Sequence, residues 1–209
     1  MAKPRPPLRA SAIVAVAGRL RGVVLGSSAE KVPLRLLHEI VVDLQPIGDW
    51  TEPRLALYTL ALPVRSWRGL IDTRHRFPRS PRQTIRDGVP VTIGPSAGGE
   101  LILGALLSPL RVRELAFGRR TGTRLAVRIA ATITPLPALD TPPFDVSLRT
   151  RLQIEPLLLR GDVSSYQVAG VEAALRAAAA VVDLADYGAA TQERWVQLAP
   201  AFGRRTRRR

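Results

Sequence analysis

The chain has 209 residues, the length of one ordinary domain with small appendages. Its 31 Lys and Arg stand against 17 Asp and Glu, a formal net charge of +14, and only Lys3 and Lys31 are lysines. The absence of cysteine excludes disulfide frameworks, thiolate metal sites, iron–sulfur clusters and cysteine nucleophiles, and His38 and His75 are the only histidines.

Hydrophobic residues make up 46% of the chain, a proportion that builds a folded core rather than a disordered basic polypeptide. No stretch reaches the about 20 apolar residues of a membrane-spanning helix. Residues 12–25 are interrupted by Arg19 and Arg21, and residues 101–107 are too few. The basic Met1–Pro7 segment precedes an apolar run without a small-residue cleavage site, so no secretory signal is expected. The expected location is cytoplasmic or virion-associated.

The charge is concentrated. Lys3, Arg5 and Arg9 lie in residues 1–10, and Arg204, Arg205, Arg207, Arg208 and Arg209 lie in residues 201–209. These segments carry eight of the 14 net charges, and neither contains an acid. They read as basic arms flanking a β-rich domain at 11–160 and a helical segment at 161–200. Such arms neutralise phosphates without reading bases, so nucleic acid or another polyanion is the expected partner.

In chain order, residues 12–17, 23–26, 39–46 and 55–64 are strand candidates. His38 stands at the start of the third and is expected to be structural. Between Arg65 and Arg86 lie seven arginines, including Arg74, Arg76, Arg79 and Arg82, with Asp72 as the only acid. Trp67, His75 and Phe77 are interleaved with them, and Pro78 and Pro81 interrupt regular structure. An arginine-rich loop with aromatics suits phosphate contact with base stacking, and equally suits an interface between subunits.

Residues 89–93 form a further strand candidate, followed by Gly94-Pro-Ser96-Ala-Gly98. This resembles the nucleophile elbow of α/β-hydrolase esterases, with residues 99–107 as the following helix. The resemblance covers about 18 residues. In that family the catalytic histidine follows the serine, whereas His38 and His75 both precede Ser96, so Ser96 has no base to activate it and the segment reads as a glycine-rich turn between two strands.

Residues 110–117 alternate with a slip at Arg113-Glu114 that predicts a bulge. Gly118 to Gly122 then read as a hairpin turn. In residues 123–134, Leu125, Val127 and Ile129 alternate with Arg124, Ala126 and Arg128. In residues 145–155, Val146, Leu148, Thr150, Leu152 and Ile154 alternate with Ser147, Arg149, Arg151, Gln153 and Glu155. Period-two alternation is the pattern of half-buried strands. It places Arg111, Arg124, Arg128, Arg149 and Arg151 on one outward sheet surface. Asp140 and Asp145 bracket a Pro-rich turn without further support for an acid–base pair.

Ser164-Ser165 can cap a helix through Val168, Val171, Ala174, Leu175, Ala178 and Val182, with Gly188 ending it. Thr191 is then expected to cap a shorter helix carrying Trp195 and Leu198. The hexapeptide Ala116-Phe-Gly-Arg-Arg-Thr121 recurs as residues 201–206 without wider similarity, which reads as coincidence rather than a repeat architecture.

These readings combine into a mainly β fold, a sandwich or jelly-roll-like barrel of about eight strands with one or two C-terminal α-helices. The expected function is non-enzymatic: a virion- or phage-particle-type structural subunit that contacts nucleic acid and other protein subunits. A cellular RNA- or DNA-binding accessory protein and an enzyme with an unadvertised site at Ser96 are the alternatives. The expected contacts are Arg74, Arg76, Arg79, Arg82, Arg124, Arg128, Arg149 and Arg151 with the five terminal arginines. No cofactor or metal is expected.

Overall fold

The computed structural model describes residues 8–27, 32–78, 82–86, 89–93, 97–160, 163–192 and 196–203. In chain order the strands are β1 (Ala15–Ser27), β2 (Val32–Leu44), β3 (Arg54–Leu60), β4 (Arg74–Arg76), β5 (Arg82–Arg86), β6 (Val89–Ile93) and β7 (Gly98–Leu103). They continue with β8 (Leu106–Thr121), β9 (Arg124–Ile133), β10 (Phe144–Ile154) and β11 (Leu157–Leu159). The α-helix α1 (Val163–Ala178) follows, and then β12 (Tyr187–Gln192) and β13 (Val196–Pro200).

The expected β-rich fold is present, but its sheet closes on itself instead of forming two facing layers. Seven strands run in the order β10-β9-β8-β7-β3-β2-β1, and β1 returns to β10. All of these neighbours are antiparallel except the closing pair, which is parallel over Gly18–Leu20 against Leu152–Ile154. Closure removes the exposed strand edges that an open sheet leaves for aggregation.

Beyond Ile154 the chain steps off the barrel. The Glu155 N–H still donates to the Leu20 carbonyl at 2.8 Å, but Pro156 has no N–H to continue the ladder. β11 then resumes alongside β1 at Val23 and Val24 and starts a small extension, β11-β13-β12. β1 thus spans the barrel and the extension, which is why residues 15–17 of the first candidate and 23–26 merge into one strand, while Ala12 ends a 3-10 turn.

The period-two residues fill the barrel as anticipated. Leu125, Val127, Ile129, Leu148, Leu152 and Ile154 are buried in its core together with Ile40, Leu55, Leu101 and Leu115. A second apolar cluster joins Val24, Leu36, Leu157 and Leu198 to Ala174, Ala178 and Val182 at the end of α1.

Several expectations are corrected. The second helix at Thr191 is absent: β12 and β13 pair antiparallel over Tyr187–Pro200, with Leu198 in the second core. α1 ends at Ala178, and Gly188 lies within β12. Residues 98–103 are a strand rather than a helix, which removes the strand–turn–helix setting of a nucleophile elbow; Ser96 and Trp195 lie outside the described residues. The bulge is found between Val112 and Glu114. β8 runs on to Thr121, however, so the turn into β9 is only Gly122-Thr123, with Gly122 at φ +58°.

Candidate nucleic-acid interface

β8, β9, β10, β1 and β2 lie side by side, and their outer surface forms a groove of about 910 Å3. Arg19 of β1, Arg124 and Arg128 of β9, and Arg149 and Arg151 of β10 line it. Its floor is paved by Ala15, Ala17, Ala116, Gly118 and Ala126, and Asp43 is the one acid in the lining. The strand pattern explains the placement, because each arginine occupies the outward register next to a buried Leu, Val or Ile that points inward.

Register sets the arrangement of charge. Arg149 lies directly opposite Arg128, Arg151 opposite Ala126, and Gln153 opposite Arg124. Across the closing seam Arg19 is the partner of Gln153. Arg149 and Arg151 are therefore about 6.8 Å apart along β10, and neighbouring strands are about 4.8 Å apart. Like charges directly opposite one another destabilise a sheet.

One of these charges is compensated. The Glu114 carboxylate receives Arg128 Nη2 at 2.5 Å, Arg76 Nε at 3.3 Å and Arg74 Nε at 3.7 Å. Desolvation opposes ionisation of Glu114, but its hydrogen bonds to Arg76 and Arg128 and the nearby Arg74 charge hold the carboxyl below its ordinary range. Arg19, Arg124, Arg149 and Arg151 have no carboxylate in ion-pair contact among the described residues. Asp43 faces Arg54 instead, at 3.4 Å.

The sequence-derived candidates are thus divided by the fold. Arg124, Arg128, Arg149 and Arg151 share one groove. Arg111, expected on the same surface, is not part of its lining. Arg74 and Arg76 sit on β4, the short strand added to β8, and converge on Glu114. Arg82 begins β5, of which the backbone is described; Arg79, Arg204, Arg205, Arg207, Arg208 and Arg209 lie outside the described residues. Arg19 was missed by sequence reasoning. The available signal was its alternation with Gly18 and Leu20, which splitting β1 into two candidates obscured.

The aromatics of the Arg65–Arg86 segment are not available for base stacking. Trp67 and Phe77 are buried in the barrel core. His75 is half-buried, with Nε2 3.0 Å from Thr73 Oγ1 and its ring edge-on to Phe117 at 5.9 Å. Asp145 is likewise engaged, with Arg113 at 2.9 Å and the Thr132 hydroxyl at 2.7 Å.

Residues 66–68 instead anchor the chain on both sides of the β12–β13 pair. The buried Asp186 carboxylate accepts from Ser66 Oγ at 2.6 Å and Arg68 Nε at 2.7 Å, and Trp67 Nε1 donates to the Asp186 carbonyl at 3.0 Å. Arg68 Nη2 reaches the carbonyls of Ala201 at 3.2 Å and Gly203 at 3.1 Å. The Phe202 ring lies 5.4 Å from Trp67, and Arg120 stacks over Phe202 while donating to its carbonyl at 3.2 Å.

No protein-family model matches this chain, and neither a curated protein nor a solved structure does, so the groove's residues are the ground on which a function can be argued.

Proposed function

We propose that this protein is a non-enzymatic nucleic-acid-binding module whose groove receives the sugar–phosphate backbone of a single strand. The observation that carries this reading is the gathering of Arg19, Arg124, Arg149 and Arg151 in one groove, beside Arg128, without carboxylate partners among the described residues. Repulsion among these close like charges, with Arg149 directly opposite Arg128, makes that arrangement unfavourable in isolation, and bound phosphates relieve it. The alanine and glycine floor allows a backbone to approach closely. No lining residue is aromatic, which favours phosphate contact over stacking and hence sequence-independent binding. The arginine-bearing strands β9, β10 and β1 span about 10 Å, a width suited to one backbone rather than a duplex.

Fluorescence anisotropy with a labelled 20-nucleotide strand tests this. The triple variant R124Q/R149Q/R151Q is expected to bind about 10-fold or more weakly at moderate salt. Its slope of log K against log salt should shrink by about 2, because each lost single-strand phosphate contact contributes about 0.7. Unchanged affinity and slope in a folded triple variant would overturn the assignment.

A second reading, a subunit of a larger assembly, is favoured by a separate observation. β5 and β6 form a two-stranded sheet paired with no other strand among those described. Such a hairpin is marginal alone in water and gains stability from a partner surface. Val16, Leu107 and Tyr58 are also exposed.

A further inference from the structure

At the end marked by Ala15 and Asp43, the arginine groove adjoins a second pocket of about 610 Å3, whose lining includes Arg9, Ser11, Val14, Gln45, Asp49 and Trp50. The two are joined along β1 and β2. The Gln45 N–H donates to the Val14 carbonyl at 2.9 Å, directly beyond the Ala15–Leu44 pair of the ladder. Val14 and Val16 are both exposed and lie two residues apart, Val16 in the groove and Val14 in the pocket. Because β1 and β10 run parallel, Arg149 and Arg151 lie from the Gly18–Leu152 pair toward this same end.

The pocket has fixed walls. On one side Leu8 and Ile13, both buried in the barrel core, flank the 3-10 turn Ala10–Ala12, and the Leu8 N–H donates to Thr141 Oγ1 at 3.1 Å. On the other side Ile47 and Trp50 exchange backbone hydrogen bonds of 3.0 Å across the Gly48-Asp49 turn, with Gly48 at φ +56°. Trp50 is half-buried and packs against the core beside Gly104 of the β7–β8 turn. Its indole is therefore held in place before any ligand arrives.

The lining differs in chemistry from that of the groove. Five arginines face one acid in the groove, whereas in the pocket Arg9 is the one basic residue and Asp49 the one acid. A pocket without excess positive charge suits a neutral, flat group rather than a phosphate. An indole accompanied by the Gln45 amide, the Ser11 hydroxyl, the Arg9 guanidinium and the Asp49 carboxylate matches a nucleobase, a π-face edged by donors and acceptors.

Resting on the groove reading above, we propose that this pocket takes one unpaired base of the strand whose phosphates lie in the groove, with Trp50 as its stacking surface. The work is then divided: arginines hold the backbone, and Trp50 holds a base at the Val14 end. Stacking accepts every base, so binding stays independent of sequence. It also selects single strands, because a base paired and stacked inside a duplex does not reach the indole.

The test uses the full chain and two unlabelled ligands followed by calorimetry, a single-stranded hexanucleotide and a hexamer of the same backbone without bases. Trp50→Ala is expected to bind the hexanucleotide about 10-fold more weakly, the loss of one stacked base, with its slope of log K against log salt unchanged. Trp50→Phe should stay within about three-fold of the parent, since a ring remains. The hexamer without bases should bind the parent and both variants equally. In the parent, the Trp50 indole N–H resonance, assigned with Trp50→Phe, should shift with the hexanucleotide and stay in place with the hexamer without bases. Parent-like affinity of a folded Trp50→Ala for the hexanucleotide overturns the proposal, as does equal weakening for both ligands. If Trp50→Ala does not fold, an unmoved Trp50 resonance in the parent overturns it alone. Failure of the groove reading shows separately, because R124Q/R149Q/R151Q would then bind the hexamer without bases like the parent.

Discussion

His38 projects from β2 into the barrel core with 1% of its surface exposed, and neither ring nitrogen reaches a hydrogen-bond partner. Burial pushes its pKa down from 6.5 to about 4; the Leu60 backbone opposes this, and the His75 charge adds to it. The unfolded chain therefore takes up a proton near pH 6.5 that the folded chain refuses until about pH 4. Stability is complete above pH 6.5 and falls as the pH drops toward 4, by about 3 kcal/mol in all. His75, half-buried and also shifted down, adds to the same slope. Urea melts between pH 7 and 5 are expected to show this slope in the parent and to lose most of it in His38→Met. A slope unchanged in that variant would show that the proton is taken up elsewhere. From sequence, His38 reads as structural; its lack of any partner depends on the apolar side chains that enclose it, which only the fold assembles.

At the scale of elements, β7 joins β3 to β8 through a contact with no room for a side chain. A Cβ on Gly99 would lie 2.2 Å from the Ala56 carbonyl oxygen and 3.1 Å from Leu57 Cα, both backbone atoms. The adjacent Gly98 faces open space. Gly99→Ala is expected to lower stability by about 1–3 kcal/mol, the range of overpacking, and Gly98→Ala to stay within about 0.5 kcal/mol. Matched urea midpoints for the two variants would refute the close approach. From sequence, residues 99–107 read either as the strand after a glycine-rich turn, the preferred reading, or as the apolar helix of an elbow; β7 takes the first form. The choice is made by pairing with β3 and β8, which a local pattern does not carry. β12 and β13 were missed for the same reason: Leu198 is apolar in either conformation, and the partner strand β11 decides.

The molecule as a whole carries +14, but the charge is not simply spread over a basic surface. Glu114 draws Arg74, Arg76 and Arg128 together, while closure of the barrel gathers the uncompensated Arg19, Arg124, Arg149 and Arg151 in the groove that Arg128 also lines. The β5–β6 hairpin pairs with no other strand among those described. If it is an assembly contact, mass photometry and sedimentation should find species heavier than the 22.7 kDa chain. Replacing residues 82–93 by a short Gly/Ser turn should return the protein to monomer with its barrel intact. A parent protein that stays monomeric at tens of micromolar would remove the assembly reading and leave the groove reading untouched.

The sequence by itself determined the β-rich class, the inward faces of β9 and β10, and the outward position of Arg124, Arg128, Arg149 and Arg151. Those follow from a period of two residues, which is a local property of an extended chain. Tertiary structure alone decided that β1 closes on β10, bringing Arg19 beside arginines more than 100 residues away in sequence. It also decided that Trp67 and Phe77 are core residues, that Arg74 and Arg76 are held by Glu114, and that one copy of the hexapeptide anchors the other. Each of these depends on which strands become neighbours, and that choice is made by packing between distant segments rather than by any pattern within one of them.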